Sequence, residues 1–223
     1  MDIVIVGASG GIGRYIFDEL STKYHTYGTY CHGKYPNVGW LHADVTQADD
    51  VISMLESMSG LHDVVLINLF GVSRDGMGHK LSTEAWNEVV DTNLKGAFLT
   101  CGAFLPIMRA QGWGRIINIS SVVGRVGVPG TCAYSASKAG LEGLTRTLAV
   151  ENATKGITVN CLSLGYFEAG MINTLSPEMR ESVVQSIPMK RLGTLHNIEA
   201  AIEFLIEADY VTGTTLRIDG GMA

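Results

Sequence analysis

Seven short, mostly apolar runs alternate with longer stretches of helical character, and this alternation limits the fold more than any other feature. The runs are Ile3–Val6, Tyr27–Tyr30, Val38–His42, Val64–Asn68, Arg115–Ser120, Ile157–Leu162 and Thr215–Ile218. Ile3–Val6 and Val64–Asn68 are essentially apolar throughout rather than alternating, so as strands they need cover on both faces. Helical stretches at Gly11–Lys23, from a cap at Thr46 through about Met58, at Ser82–Arg109 with Asn93 midway and Pro106 near its end, and at Thr131–Thr154 can supply it. The pattern predicts an α/β chain with one doubly wound, seven-stranded parallel sheet and helices on both faces. The segment Cys31–Asn37 is too short and too broken by glycine and proline for a crossover helix, so the connection after the second strand is expected to be abbreviated.

Hydrophobic residues make up 46% of the 223 positions and charged residues 17%. Against about 25% charged in an average domain, this excludes intrinsic disorder and points to extensive burial. No apolar run reaches the roughly 18–20 residues that span a bilayer. The start, Met1-Asp2-Ile3-Val4, reads as a strand and not as a signal peptide. A net charge of −6 offers nothing to nucleic acid or an anionic membrane. Cys31, Cys101, Cys132 and Cys161 form no C-x-x-C pair, so neither a metal site nor a disulfide framework is expected, and a reducing cytoplasm fits.

Gly7-Ala8-Ser9-Gly10-Gly11-Ile12-Gly13 joins the first strand directly to the first helix. Glycines there admit positive φ and remove Cβ atoms where a pyrophosphate would approach, while the helix start offers free N–H groups. Packing alone also explains some strand–helix glycines. The G-x-x-x-G-x-G spacing differs from the usual dinucleotide fingerprint.

Tyr134 and Lys138 stand at i and i+4 on one helix face. Taken alone, such a pair reads as solvated surface. Ser120-Ser121 ends the preceding strand, where the crevice of a doubly wound sheet opens. Asn93, a poor helix former, lies inside a long helix.

These residues resemble the classical short-chain dehydrogenase/reductases, and most the 3-oxoacyl-(acyl-carrier-protein) reductase branch. The resemblance runs over Gly7–Gly13, Asp44-Val45, Asp91–Gly96, Gly114–Ser121, Tyr134–Lys138, Gly156–Asn160 and Asp219–Met222. It implies a single Rossmann-type domain over residues 1–223, with a substrate lid at about 165–191. It implies Tyr134 as general acid, Ser121 as orienter of the substrate carbonyl, Lys138 on the nicotinamide ribose and Asn93 on a relay water. Lys138 has the right sign of charge to draw the phenol down from its usual value near ~10. Cofactor contacts are implied for Gly7, Ser9, Gly10, Gly11, Ile12, Gly13, Cys31, His32, Asp44, Val45, Asn68, Gly71, Tyr134, Lys138 and Phe167, with no metal.

The end of the second strand, Tyr30-Cys31-His32-Gly33-Lys34, carries no acid and two potentially cationic side chains, which favours NADP(H) over NAD(H). Gly10 stands where many NADP-dependent relatives have a basic residue. Two further departures are Phe70 in Asn68-Leu69-Phe70-Gly71 and the missing threonine in Leu164–Ala169. The expected reaction is NADPH-dependent reduction of a 3-oxoacyl thioester. Reduction of a small free ketone, sugar or pterin, or nucleotide binding without turnover, are the alternatives. Tyr166, Phe167, Met171, Ile172, Leu175, Met179, Ile187 and Met189 make the lid apolar, for an acyl chain or as the buried side of lid helices. Arg125, Lys155, Lys190 and Arg191 are candidates for docking an acyl carrier protein. Ala97, Leu99, Ala103, Leu141, Leu144 and Leu148 are expected to face a partner in a homodimer or homotetramer.

Overall fold

The computed structural model describes residues 1–33, 39–170, 172 and 175–223. Lys34, Val38 and Met171, singled out above, lie outside the described residues. The strands are β1 (Asp2–Val6), β2 (His25–Tyr30), β3 (Trp40–His42), β4 (Val64–Asn68), β5 (Gly114–Ser121), β6 (Ile157–Leu164) and β7 (Thr215–Ile218). They form one sheet in the order β3-β2-β1-β4-β5-β6-β7, and every pairing is parallel. The helices are α1 (Gly11–Leu20), α2 (Ala48–Glu56), α3 (Thr83–Val90), α4 (Gly96–Gln111), α5 (Cys132–Asn152), α6 (Pro177–Ser186) and α7 (Leu195–Glu207). The link from β2 to β3 covers residues 31–39, and 34–38, most of the stretch expected to be abbreviated, lie outside the described residues. No described residue in it is helical.

Residues along the central strands alternate between two cores, as a sheet covered on both sides requires. Val4, Val6, Leu66, Ile116 and Val159 pack against Phe104 and Met108 of α4 and Leu148 of α5. Ile3, Ile5, Val65, Ile67 and Ile117 pack against Ile16 and Leu20 of α1 and Ile198 and Ile202 of α7.

One helix boundary departs from the sequence reading. The second helix is preceded by Gln47 and is not capped by Thr46, because the Asp44 carboxylate accepts from both the main-chain N–H and the hydroxyl of Thr46. Pro106 lies inside α4 near its end, as expected. It lies on the exposed side, and the carbonyl it leaves without a donor belongs to exposed Gly102.

A buried polar network ties the strands to the helices under the carboxyl rim. Asn68 donates to Asn118 Oδ1 at 2.9 Å, Asn118 donates to Thr145 Oγ1 at 2.9 Å, and Thr100 donates to Asn68 Oδ1 at 2.9 Å. It joins β4, β5, α4 and α5, and all four residues are buried. Removing the middle member takes a partner from Thr145 Oγ1 and leaves Asn68 Nδ2 with only Cys101 Sγ at 3.5 Å, each loss costing about 1–3 kcal/mol. Asn118→Ala is therefore expected to lower unfolding free energy by about 3 kcal/mol, read as a reduced urea midpoint at unchanged slope.

Candidate active site

Four segments meet at the carboxyl rim of the sheet, beside the point where the strand order turns back between β1 and β4. They are the glycine turn after β1, residues 68–72 after β4, the end of β5 at Ser120-Ser121, and residues 165–170 after β6. The glycines of the turn divide into two kinds. Gly7 has φ +89°, and a Cβ there would stand 2.7 Å from Phe70 N. A Cβ on Gly13 would stand 2.5 Å from Gly7 O. Packing fixes both. Gly10 and Gly11 are exposed, and a Cβ on either would meet nothing closer than 3.5 Å. α1 starts here without a side-chain cap and without an acid in its first turn. Its first N–H groups, beside half-buried Ser9 and Ile12, are suited to an anionic pyrophosphate.

Asn93 sits in a single π turn, Asp91–Lys95, between α3 and α4, an irregularity often found at functional sites. It is 1% exposed. Its Oδ1 accepts from Val72 N at 2.8 Å, and its Nδ2 donates to Val72 O at 2.9 Å and Ser137 Oγ at 3.0 Å. Asn93 thus fastens the loop after β4 to α5, and both of its amide hydrogens are engaged.

Tyr134 and Lys138 lie one turn apart on α5, both buried. Lys138 Nζ donates to Ile119 O at 2.7 Å and stands 5.7 Å from the centre of the Tyr134 ring. Burial pushes the Tyr134 phenol up to about 12, while a hydrogen bond with Ser121 pulls it the other way. Burial also brings Lys138 down to about 8. The expectation that Lys138 would draw the phenol toward neutrality is therefore corrected for this geometry. The ammonium is itself desolvated and turned to a carbonyl, and desolvation of the phenol is the larger effect. Gly71 adjoins this pair: a Cβ there would be 3.3 Å from Lys138 Nζ and 3.4 Å from Asn93 Oδ1. A side chain there would crowd both polar atoms.

The other expected cofactor residues fall into two groups. Cys31 is half-buried and His32 exposed at the end of β2, and Asp44 is half-buried with one oxygen on Thr46. The side chains of Asn68, Val45 and Phe167 are held by neighbours within the chain. Asn68 belongs to the polar network. Val45 lies under Gly96, where a Cβ would be 2.8 Å from its Cγ2, and the Phe167 ring lies on Gly193. Phe70 packs on Gly96 and Val45, in a different apolar cluster from Tyr134.

Among the described lid residues, Ile172 and Ile187 are buried in a cluster with Tyr166 and Leu175, while Met179 and Met189 are exposed. A cavity of about 540 Å³ adjoins this cluster, lined by Tyr166, Ile187, Met189, Arg191 and Arg217 among others. Of the residues expected to face a partner subunit, Ala97, Leu141 and Leu148 are buried in this chain's own core. Leu99 and Ala103, also expected there, are half-buried and line with exposed Phe98 a groove shared with Ile52 of α2. Arg125, a docking candidate, is ion-paired with Glu142. Sequence reasoning passed over Ser137, the partner of Asn93, and read Tyr166 only as an apolar lid residue, although its phenol adds to the upward push on Tyr134. For Ser137, the only signal was its place between Tyr134 and Lys138.

A family model described as Enoyl-(Acyl carrier protein) reductase matches residues 28–223. The chain is 37% identical to the 3-oxoacyl-(acyl-carrier-protein) reductase FabG of Staphylococcus aureus (strain Mu50), covering 98% of this chain and 96% of that protein. It is 36% identical to nodulation protein G of Azospirillum brasilense over the same shares, and 36% identical to that of Rhizobium sp. (strain N33), covering 99% and 96%. With this similarity over nearly its whole length, and with one parallel sheet carrying a glycine turn, a strand-end serine and a tyrosine–lysine helix at its carboxyl rim, the chain belongs to the short-chain dehydrogenase/reductase family of NAD(P)-dependent oxidoreductases.

Proposed function

We propose that the protein reduces a 3-oxoacyl thioester, carried on acyl carrier protein or a polyketide-type carrier, to its 3-hydroxyacyl form with NADPH. The observation that carries this reading is the grouping of the Tyr134 phenol with Ser121 and Lys138 at the rim that holds the glycine turn. The printed name of the Staphylococcus aureus relative supports the thioester.

A bound reduced nicotinamide supplies the hydride. The free N–H groups at the start of α1 would hold the pyrophosphate, with Gly10 and Gly11 allowing close approach. Lys138 has three donors and gives one to Ile119 O, so two are free for ribose hydroxyls. With a value of about 12, Tyr134 keeps its proton throughout the neutral range. It gives that proton to the carbonyl oxygen as negative charge develops there, while Ser121 Oγ donates to the same oxygen. General acid catalysis of this kind contributes about 10²–10⁴ in rate. Lys138, at about 8, exchanges its proton readily near neutrality and is suited to recharging the phenol. A relay water that reached Lys138 Nζ and Asn93 Oδ1 would carry the replacement proton, and glycine at position 71 leaves both atoms uncrowded.

The absence of an acid at Tyr30-Cys31-His32 supports NADP(H). Burial, followed by the charges of Asp44 and Asp50, pushes the Cys31 thiol up. Both carboxylates already accept hydrogen bonds, Asp44 from Thr46 and Asp50 from the Asp44 N–H. Exposed Phe98 and Ile52 support a homo-oligomer that covers the α2–α4 groove.

Three outcomes test the reading. Oxidation of NADPH by an acetoacetyl thioester should fall at least about 100-fold in Tyr134→Phe, within the range of a lost general acid, with NADPH still bound. The ratio kcat/KM should favour NADPH over NADH by about tenfold or more, and a preference for NADH overturns the cofactor assignment. Gly71→Ala should slow turnover by about tenfold and raise the solvent isotope effect, because the added methyl crowds Lys138 Nζ and Asn93 Oδ1, the two groups assigned to the relay. An unchanged isotope effect removes that role.

A further inference from the structure

Tyr134, Lys138 and Glu142 follow one another along α5 at intervals of four residues, so they lie on one stripe of the helix. Glu142 has no part in the proposed chemistry, yet it is a carboxylate only 5% exposed. Its partners lie on the segment that carries Ser121. Arg125 donates from Nη2 to Oε2 at 2.8 Å and from Nε to Oε1 at 3.3 Å. Ser120 Oγ stands 3.4 Å from Oε1 and 3.1 Å from the Lys138 carbonyl, with one proton to share between them.

The two partners bracket Ser121 in the chain. Between them the backbone makes a 3₁₀ turn, Val122–Gly124, closed by bonds from the N–H groups of Arg125 and Val126 to Val122 O. Val123 N donates to Ser121 Oγ at 3.3 Å. Gly124 rests so closely on α5 that a Cβ would stand 3.1 Å from Ala139 N. One buried carboxylate therefore holds both ends of the turn from which the Ser121 hydroxyl projects. Stability alone is a weak reason to keep such a pair, since an apolar pair of similar volume often serves as well.

We propose that the Arg125–Glu142 ion pair is a clamp that positions Ser121 against Tyr134. Both members are positioning residues and act through Ser121. The inference rests on the reading that Ser121 and Tyr134 meet the substrate carbonyl. Misplacing a group by about 1 Å can cost about 10²-fold in rate, so loosening the turn should lower kcat without touching the cofactor.

The test combines a signal that needs no turnover with a kinetic cycle. In the full-length protein labelled with ¹³C at tyrosine Cζ, the Tyr134 resonance is assigned by Tyr134→Phe. Arg125→Leu and Glu142→Leu should each move it in the direction that Ser121→Ala moves it, and Glu142→Leu should add nothing further in the Ser121→Ala background. With acetoacetyl thioester, each clamp variant should lose about 10- to 100-fold in kcat, with KM for NADPH changed by less than about threefold. In the Ser121→Ala background the extra loss should be under about twofold. Arg125→Lys, which keeps a cation, should recover most of the rate. A Tyr134 signal unmoved in folded Arg125→Leu, or equal losses with and without Ser121, overturns the clamp. Should Glu142→Leu fail to fold, Arg125→Leu carries both readings, because the Arg125 side chain is 39% exposed. Absence of thioester turnover in the unmodified protein would sink the parent reading alone, and the resonance would still decide the clamp.

Discussion

A parallel sheet covered on both faces has only its rims left for chemistry. Its strands carry side chains that alternate between two apolar cores, and neither core has room for a polar substrate. The carboxyl rim is where the loops after β1, β4, β5 and β6 come together. Helices entering from these loops bring N-terminal N–H groups, and α5 brings its tyrosine and lysine. The polar network of Asn68, Asn118, Thr100 and Thr145 sits directly under this rim and fixes the relative height of β4, β5, α4 and α5. The site is therefore a product of the sheet's burial and not an addition to it.

Inside the site, the governing quantity is desolvation. A phenol and an ammonium are both buried within one helical turn, and each is pushed toward its uncharged form. The same low-dielectric setting makes the neutral phenol a dependable proton donor and leaves the lysine close to exchange at neutral pH. Charge pairing, the sequence-level expectation, is secondary to burial in this arrangement. The nearest buried carboxylate on the same helix, Glu142, is neutralised by Arg125.

The sheet and its parallel sense were legible because apolar runs and the helical stretches between them are local signals. The pairing of Tyr134 with Lys138 was legible for the same reason, as helical spacing is a local rule. What escaped was the outcome of long-range contact. Nothing near Asn68 in sequence says that its amide faces Asn118 rather than the crevice. Nothing near Arg125 announces a carboxylate seventeen residues on. Ala97, Leu141 and Leu148 read as an outward face because their own helices are apolar on several sides, and only the packing of those helices decides which side is covered.

The π turn at Asp91–Lys95 has a consequence beyond the placing of Asn93. One surplus residue in a helix rotates everything after it by about 100° relative to a regular rod. The segment from Thr83 to Gln111 thus consists of two helical faces set out of phase, with the surplus residue as the phase shift between them. Phe104, buried in α4, and exposed Phe98 both lie beyond that shift, so it sets which of them meets the sheet once α3 is docked. A chain shortened by one residue there would swing α4 by about 100° relative to α3 and carry Phe104 off the side that faces the sheet.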